Sequence, residues 1–248
     1  MFTTGAHSWL SAAAGCYCLA LIFCFFRKET AGRALVAAGF GLHSLYLVGR
    51  GWLGGVFIPN PILEGPFYLP WCLALIAAAS GLKKEKHIMS WVLVLVVIFS
   101  LISLFYAKGM IPPTPKKLSA WAPLFFALES MAHALFYAGA ILACAALAGK
   151  DRSSRFTSFV VWGFITYTAA QVTGAIWCFE GWGNTFSWGT RHLGSAAIWT
   201  FFAAVLHLQF IAKWKRKSAF FVIAGGVLVF FISYGNYFHE MYFPRIGG

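Results

Sequence analysis

Acidic residues are nearly missing: seven Asp and Glu stand among 248 residues, and charged residues of both signs make up 10%. A soluble domain carries roughly 25% charged and about 45–50% apolar residues. Here 60% are hydrophobic and the mean hydropathy is +0.74. One water-soluble core cannot hide that much apolar surface. A soluble enzyme, a secreted disulfide scaffold and a free DNA-binding domain are excluded. The six cysteines contain no C-x-x-C, which argues against a redox pair. Cys16, Cys18, Cys24, Cys72 and Cys144 lie in apolar runs, where a thiol behaves as a small hydrophobe. No two histidines are spaced i, i+4 and no cysteine or carboxylate cluster stands beside them, so zinc is not expected. No basic stretch precedes the first apolar run, so that run is expected to stay as a membrane helix.

What remains is an all-α integral membrane protein. Segments 8–26, 34–50, 66–82, 88–107, 120–148, 156–178, 193–212 and 218–236 are each long and apolar enough to cross a bilayer. They predict a polytopic bundle of about eight transmembrane helices. The fifth is long enough to tilt. With no tandem repeat and no low-complexity tract, residues 1–248 read as a single transmembrane domain.

The net charge is +12. The basic residues cluster in four short connections: Arg27–Arg33, Lys83–His87, Lys150–Arg155 and Lys213–Lys217. The positive-inside rule places these four in the cytoplasm, so topology accounts for the charge and no nucleic-acid partner is implied. Both termini then face outward, as do loops 51–65, 108–119 and 179–192. Lys108, Lys116 and Lys117 run against that orientation, and the other four loops outvote them. Trp52, Trp121, Trp177, Trp182 and Trp188 gather near the outer face. An interfacial aromatic belt explains Trp at helix ends. Trp182 and Trp188 inside a Gly-rich loop fit a platform for a flat ligand equally well.

Ionisable residues within spans are rare and default to functional candidates. His7 and His87 read as ordinary surface residues. His43, His133 and His207 fall inside spans, and His192 and His239 at the outer edge. At a rise of about 1.5 Å per residue, His43 lies roughly 15 Å above Arg33, and His207 roughly 9 Å above Lys213. Their depths are close enough to match. A lone buried histidine is commonly a hydrogen-bonded structural residue. Several at two matching depths, beside a Trp-rich loop, point to haem, whose iron takes imidazole from two sides.

The run Gly174-Ala175-Ile176-Trp177-Cys178-Phe179-Glu180-Gly181-Trp182-Gly183-Asn184-Thr185-Phe186-Ser187-Trp188, followed by Trp199 and Leu206-His207, resembles the tryptophan-rich WWD loop of CcsA-type cytochrome c assembly proteins, a loop shared with CcmC and CcmF. Gly39–Arg50, with His43, and Pro59–Glu64 resemble that family's first transmembrane histidine and the loop after it. Tyr234–His239 resembles its second external histidine. The likeness covers about 34–245, with the Trp-rich external loop at 177–192.

The resemblance implies a haem-handling membrane protein of cytochrome c maturation, a component of a cytochrome c synthase. Haem b would enter at His43 and His207, which would ligate its iron. It would then be presented at the external loop, with His239 as one outer ligand, to the C-x-x-C-H cysteines of an apocytochrome c. A CcsB/ResB-like membrane partner is implied, in a bacterial inner membrane or its equivalent, with the Trp-rich loop on the periplasmic side. The chain departs from the family in two places. Gly189-Thr190-Arg191-His192-Leu193-Gly194 replaces Asp-Pro-Lys-Glu-Thr-Trp, and Leu118–Pro123 lacks the first external histidine. His133 and His192 are the candidates to replace it. Arg50, Arg191 and Arg245 are candidates for haem carboxylates or else snorkelling charges. Glu64 and Glu180 are external acids and weak catalytic candidates. Two alternatives stand beside this reading. One is a haem b electron-transfer anchor of a respiratory complex. The other is a haem-free HemX-like membrane protein.

Overall fold

The computed structural model describes residues 2–53, 61–82, 86–105, 119–149, 155–215 and 217–241, with side chains at 8–52, 65–80, 82, 87–105, 119–149, 155–215 and 217–235. Among these residues all regular structure is helical: α1 Phe2–Phe25, α2 Glu29–Leu53, α3 Pro61–Leu82, α4 Lys86–Phe105, α5 Trp121–Leu147, α6 Arg155–Trp182, α7 Thr190–Leu208, the one-turn α8 Ala212–Lys215, and α9 Ser218–Met241. Helix is the form in which a lipid-embedded backbone satisfies its own polar groups. Helices α1, α2, α4, α5, α6 and α9 are each long and apolar enough to cross a membrane. The apolar stretch of α3, Gly65–Ser80, is shorter. Helix α7 spans 19 residues but carries Arg191, His192 and His207. The chain is an integral membrane protein.

The differences from the sequence expectation that bear on the outer loop lie at the ends of α6 and α7. The outer loop expected at 179–192 shrinks to 183–189, because α6 runs on to Trp182 and α7 starts at Thr190. Gly183 ends α6 with φ of +75°, and its N–H returns to the Phe179 carbonyl at 2.8 Å. Glycine reaches that left-handed conformation without a Cβ clash, so it stops the helix there. The expected span 193–212 ends at Leu208, and the chain turns before α8.

The helices form two compact units, residues 1–113 and 114–248. In the first, α1 packs on α2 and α3 on α4. Two prolines, Pro66 and Pro70, sit inside α3. Pro70 has no N–H for the Pro66 carbonyl one turn earlier. The Ser103 hydroxyl of α4 donates to that carbonyl instead. Next to it, the His43 Nε2–H donates to the Phe67 carbonyl at 2.9 Å. Phe40, Trp71 and Tyr68 stack in sequence, and the Trp71 indole N–H donates to Ser44 Oγ at 2.8 Å.

In the second unit α5 lies between α6 and α9, and α7 contacts both α6 and α9. The α5–α6 seam is tight because glycines face aromatic rings. A Cβ on Gly163 would come within 2.8 Å of Phe136, and one on Gly174 within 2.9 Å of Phe125. Small residues allow such approach between membrane helices, where dispersion rather than water exclusion drives packing. Phe136 in turn stacks on Phe202 of α7.

Candidate functional site

The second unit contains a cavity of about 430 Å³, within the range of small-molecule sites. Helices α5, α6 and α7 and the 183–189 loop line it, and one side is open. Phe125, Trp177, Phe186 and Trp199 give it aromatic walls; Gln171, Cys178, Arg191 and His192 supply most of the polar chemistry. The sequence expectation of a flat-ligand platform fell on this loop. Trp177 lies buried against Phe125 and Phe126, and Trp182 meets it edge-on at 5.4 Å. Trp182 was expected inside a Gly-rich loop; it is instead the last residue of α6, for the reason Gly183 supplies. Trp188 is 83% exposed and stands edge-on to Phe186.

The loop is held at both ends. Glu180 accepts hydrogen bonds from the Ser119 hydroxyl and the Trp121 indole N–H, each at 3.0 Å. These tie the outer end of α6 to the start of α5, a bracing role for an acid first considered as catalytic. At the other end the Ser187 backbone N–H donates to His192 Nδ1 at 2.7 Å, with the Ser187 hydroxyl 3.0 Å from the same nitrogen. A backbone amide can only donate, so Nδ1 carries the lone pair. In the neutral ring the proton then sits on Nε2, which points at Cys178 Sγ, 3.6 Å away. For Nε2 to take iron the proton must move to Nδ1, and Ser187 must release it.

Beneath the cavity, and sharing Arg191 and Ser195 with it, is a recess of about 20 Å³ bounded by Glu129, His133, Tyr167, Ile198, Ile232 and Ser233. That is room for about one water molecule. His133 is 7% exposed; its Nδ1 is 3.3 Å from the Ser233 hydroxyl, and its Nε2 is buried without a partner. The Tyr167 hydroxyl donates to the Ser195 carbonyl at 3.3 Å. Arg191 lies within electrostatic reach of Glu129, His133 and Tyr167, and its guanidinium sits 5.3 Å from the centre of the Phe126 ring. Glu129 is a residue the sequence reading passed over. It was counted inside an apolar span, yet a carboxylate there, four residues from His133, places both on one helix face.

The other histidines divide sharply. His207 is exposed on α7, and its Nδ1–H donates to the Ala203 carbonyl of its own helix at 2.8 Å. That fixes the tautomer with the Nε2 lone pair facing outward, the arrangement a metal-ligating histidine needs. His43, in the first unit, is fully buried. Its Nε2 is engaged by Phe67, and its Nδ1 is buried without a partner. Arg50 is 6% exposed and its guanidinium packs on the rings of Phe67 at 4.7 Å and Tyr46 at 5.6 Å. The side chains of His7, Glu64 and His239, and Arg245 entirely, lie outside the described residues. Among the described residues no group of three or more metal-binding side chains converges.

The donor chemistry of the cavity fits a porphyrin: flat aromatic walls, an imidazole and a guanidinium in one apolar space. No family model matches the chain. Cytochrome c biogenesis protein CcsA of Cyanidium caldarium is 34% identical over 71 residues, 29% of this chain and 24% of that protein. CcsA of Prochlorococcus marinus strain MIT 9515 is 37% identical over 68 residues, 27% of this chain and 22% of the relative. These two matches span about a quarter of the relatives' length. The match to CcsA of Prochlorococcus marinus subsp. pastoris is 21% identical and covers 87% of this chain and 83% of that protein. The chain is a relative of the CcsA-type cytochrome c biogenesis proteins.

Proposed function

We propose that the chain is a haem-handling membrane protein of cytochrome c maturation, and that its second unit holds haem b beneath the Trp-rich loop. The observation that carries this reading is the 430 Å³ aromatic cavity with His192 and Arg191 on its wall. The similarity to CcsA over 87% of the chain, at 21% identity, supports a role in cytochrome c biogenesis. Bound haem supplies the vinyl groups to which the cysteine thiols of an apocytochrome c add. The chain's own residues do the positioning. Phe125, Phe186 and Trp199 offer flat faces to a planar ligand. Arg191 presents a planar cation suited to a carboxylate. His192 offers an imidazole whose ligating nitrogen is gated by Ser187. His207, 15 residues further along α7 and so about 22 Å from His192, offers an imidazole with Nε2 open at a separate position outside the cavity.

In this reading a CcsB/ResB-like membrane partner completes the assembly. The four basic connections face the cytoplasm, and the 183–189 loop faces the apocytochrome on the outer side. The test is reconstitution: the chain is co-expressed with a ResB-like protein and a C-x-x-C-H reporter apocytochrome, in cells deleted for their own maturation system. Covalent haem staining of the reporter, lost when Trp188→Ala and His192→Ala are combined, is the expected result. No stained reporter with the wild-type chain would overturn the proposal.

A further inference from the structure

We propose that the turn between α7 and α9 is a binding site for the headgroup of an anionic phospholipid. The chain's basic clusters lie in four short connections, and three of them dilute their charge. Arg27–Arg33, Lys83–His87 and Lys150–Arg155 each hold three Lys or Arg and one acid. Lys213-Trp214-Lys215-Arg216-Lys217 holds four and no acid, and the carboxylates nearest in sequence are Glu180 and Glu240. The positive-inside rule asks only for a surplus of Lys and Arg on one side, which the other three connections already provide. The excess in the fourth has a further use.

The structure adds apolar anchors to that charge. After Leu208 the backbone closes on itself. The Ile211 N–H donates to the Leu208 carbonyl at 3.2 Å, the Lys215 N–H to the Ile211 carbonyl at 2.9 Å, and the Lys217 N–H to the Trp214 carbonyl at 2.9 Å. The turn is therefore preformed. Every described residue from Phe210 to Lys217 is exposed. Phe210, at 87% exposure, presents apolar surface together with Ile211 and Trp214. Lys213, Lys215 and Lys217 present ammonium groups on the same short stretch. The Trp214 ring lies 5.7 Å from the Phe221 ring of α9, and Lys217 Nζ is 5.8 Å from the centre of the Trp214 ring. Tryptophan favours the boundary between acyl chains and headgroups, and lysine reaches outward from there to phosphate.

Both halves of this surface need a cover. A soluble anion would neutralise the lysines and leave Phe210, Ile211 and Trp214 in water. A zwitterionic lipid would cover the rings but bring a cation of its own to the lysines. A phospholipid with a net negative headgroup does both: its acyl chains lie against the rings and its phosphate sits among the ammonium groups.

The experiment titrates the full chain in detergent micelles with phosphatidylglycerol or phosphatidylcholine, read by native mass spectrometry. The wild type should bind phosphatidylglycerol more than tenfold more tightly. Lys215→Gln should lower that preference about fivefold, as one cation beside an anionic lipid implies. Lys213→Gln, Lys215→Gln and Lys217→Gln combined should abolish it. Removing as many cations from another connection, by Lys83→Gln, Lys84→Gln and Lys86→Gln, should leave it unchanged within about twofold. Phosphatidylcholine binding at wild-type strength shows that a variant is folded. Glycerol phosphate in excess should not displace the lipid, because it has no acyl chains to cover the rings. Equal affinity for the two lipids in the wild type, an equal loss in the two triple variants, or displacement by glycerol phosphate would overturn the proposal. Should the first triple variant fail to fold, Lys215→Gln decides alone, and an unchanged preference there overturns it.

Discussion

His43 and His207 look alike in the sequence: one histidine each, deep in an apolar helix. The folded chain treats them in opposite ways. His43 is enclosed in the first unit, and its Nε2 proton is given to a carbonyl on another helix. His207 is exposed in the second, and its Nδ1 proton is given to its own helix one turn back, so Nε2 stays open. Each ring gives one N–H to a carbonyl and keeps a lone pair on the other nitrogen; what differs is that the Nδ1 of His43 is enclosed, whereas His207 is exposed. In the first unit that carbonyl belongs to a turn disturbed by Pro66 and Pro70. The same turn recruits Ser103 from α4.

The comparison is broken most directly at His43. Replacement by Ala removes a fully buried ring and leaves the Phe67 carbonyl without its cross-helix donor. Cavity formation and the lost hydrogen bond together are expected to cost about 2–4 kcal/mol, read as a lower unfolding midpoint in detergent. If His43→Ala melts with the wild type, the brace assignment is wrong. Ser103→Ala tests the same turn more gently. It strips the Pro66 carbonyl of its donor and should cost about 1 kcal/mol, in line with hydrogen bonds between membrane helices. Gly183→Ala carries the test into the second unit. An alanine forced to φ near +75° should cost about 1 kcal/mol, and limited proteolysis should find the 183–189 loop cut sooner. The smallest effect is expected at His207. His207→Ala removes an exposed ring bonded only to its own helix and should shift stability by less than about 0.5 kcal/mol. A large loss of stability there would mean that His207 is a brace as well.

The helices were legible because hydropathy and the positive connections mark every span, and α1 to α6 and α9 fall where the apolar runs lie. Boundaries were less so. Glu180-Gly181-Trp182-Gly183 contains two glycines, and only the backbone shows that the second, not the first, ends α6. Glu129 was visible as a lone acid but was submerged in a 27-residue apolar helix. The tautomers of His43 and His192 could not be read from spacing. They depend on Phe67, 24 residues away, and on a loop amide aimed back at the ring. The cavity wall likewise needs Phe125 of α5 against Trp177 of α6, a long-range pairing that no local pattern encodes.

The central claim is that the second unit takes haem through its own imidazoles. The most direct measurement is the absorption spectrum of the purified chain, oxidised and reduced, with a pyridine haemochrome assay, beside His43→Ala, His192→Ala and His207→Ala. The account predicts a b-type spectrum in the wild type. It should be weakened in His192→Ala and in His207→Ala, at unchanged stability for the latter. A loss of haem in His43→Ala beyond what its lower stability explains would make His43 an iron ligand as well. A wild-type chain with no haem when co-expressed with a ResB-like partner, or a spectrum untouched by both His192→Ala and His207→Ala, would contradict it.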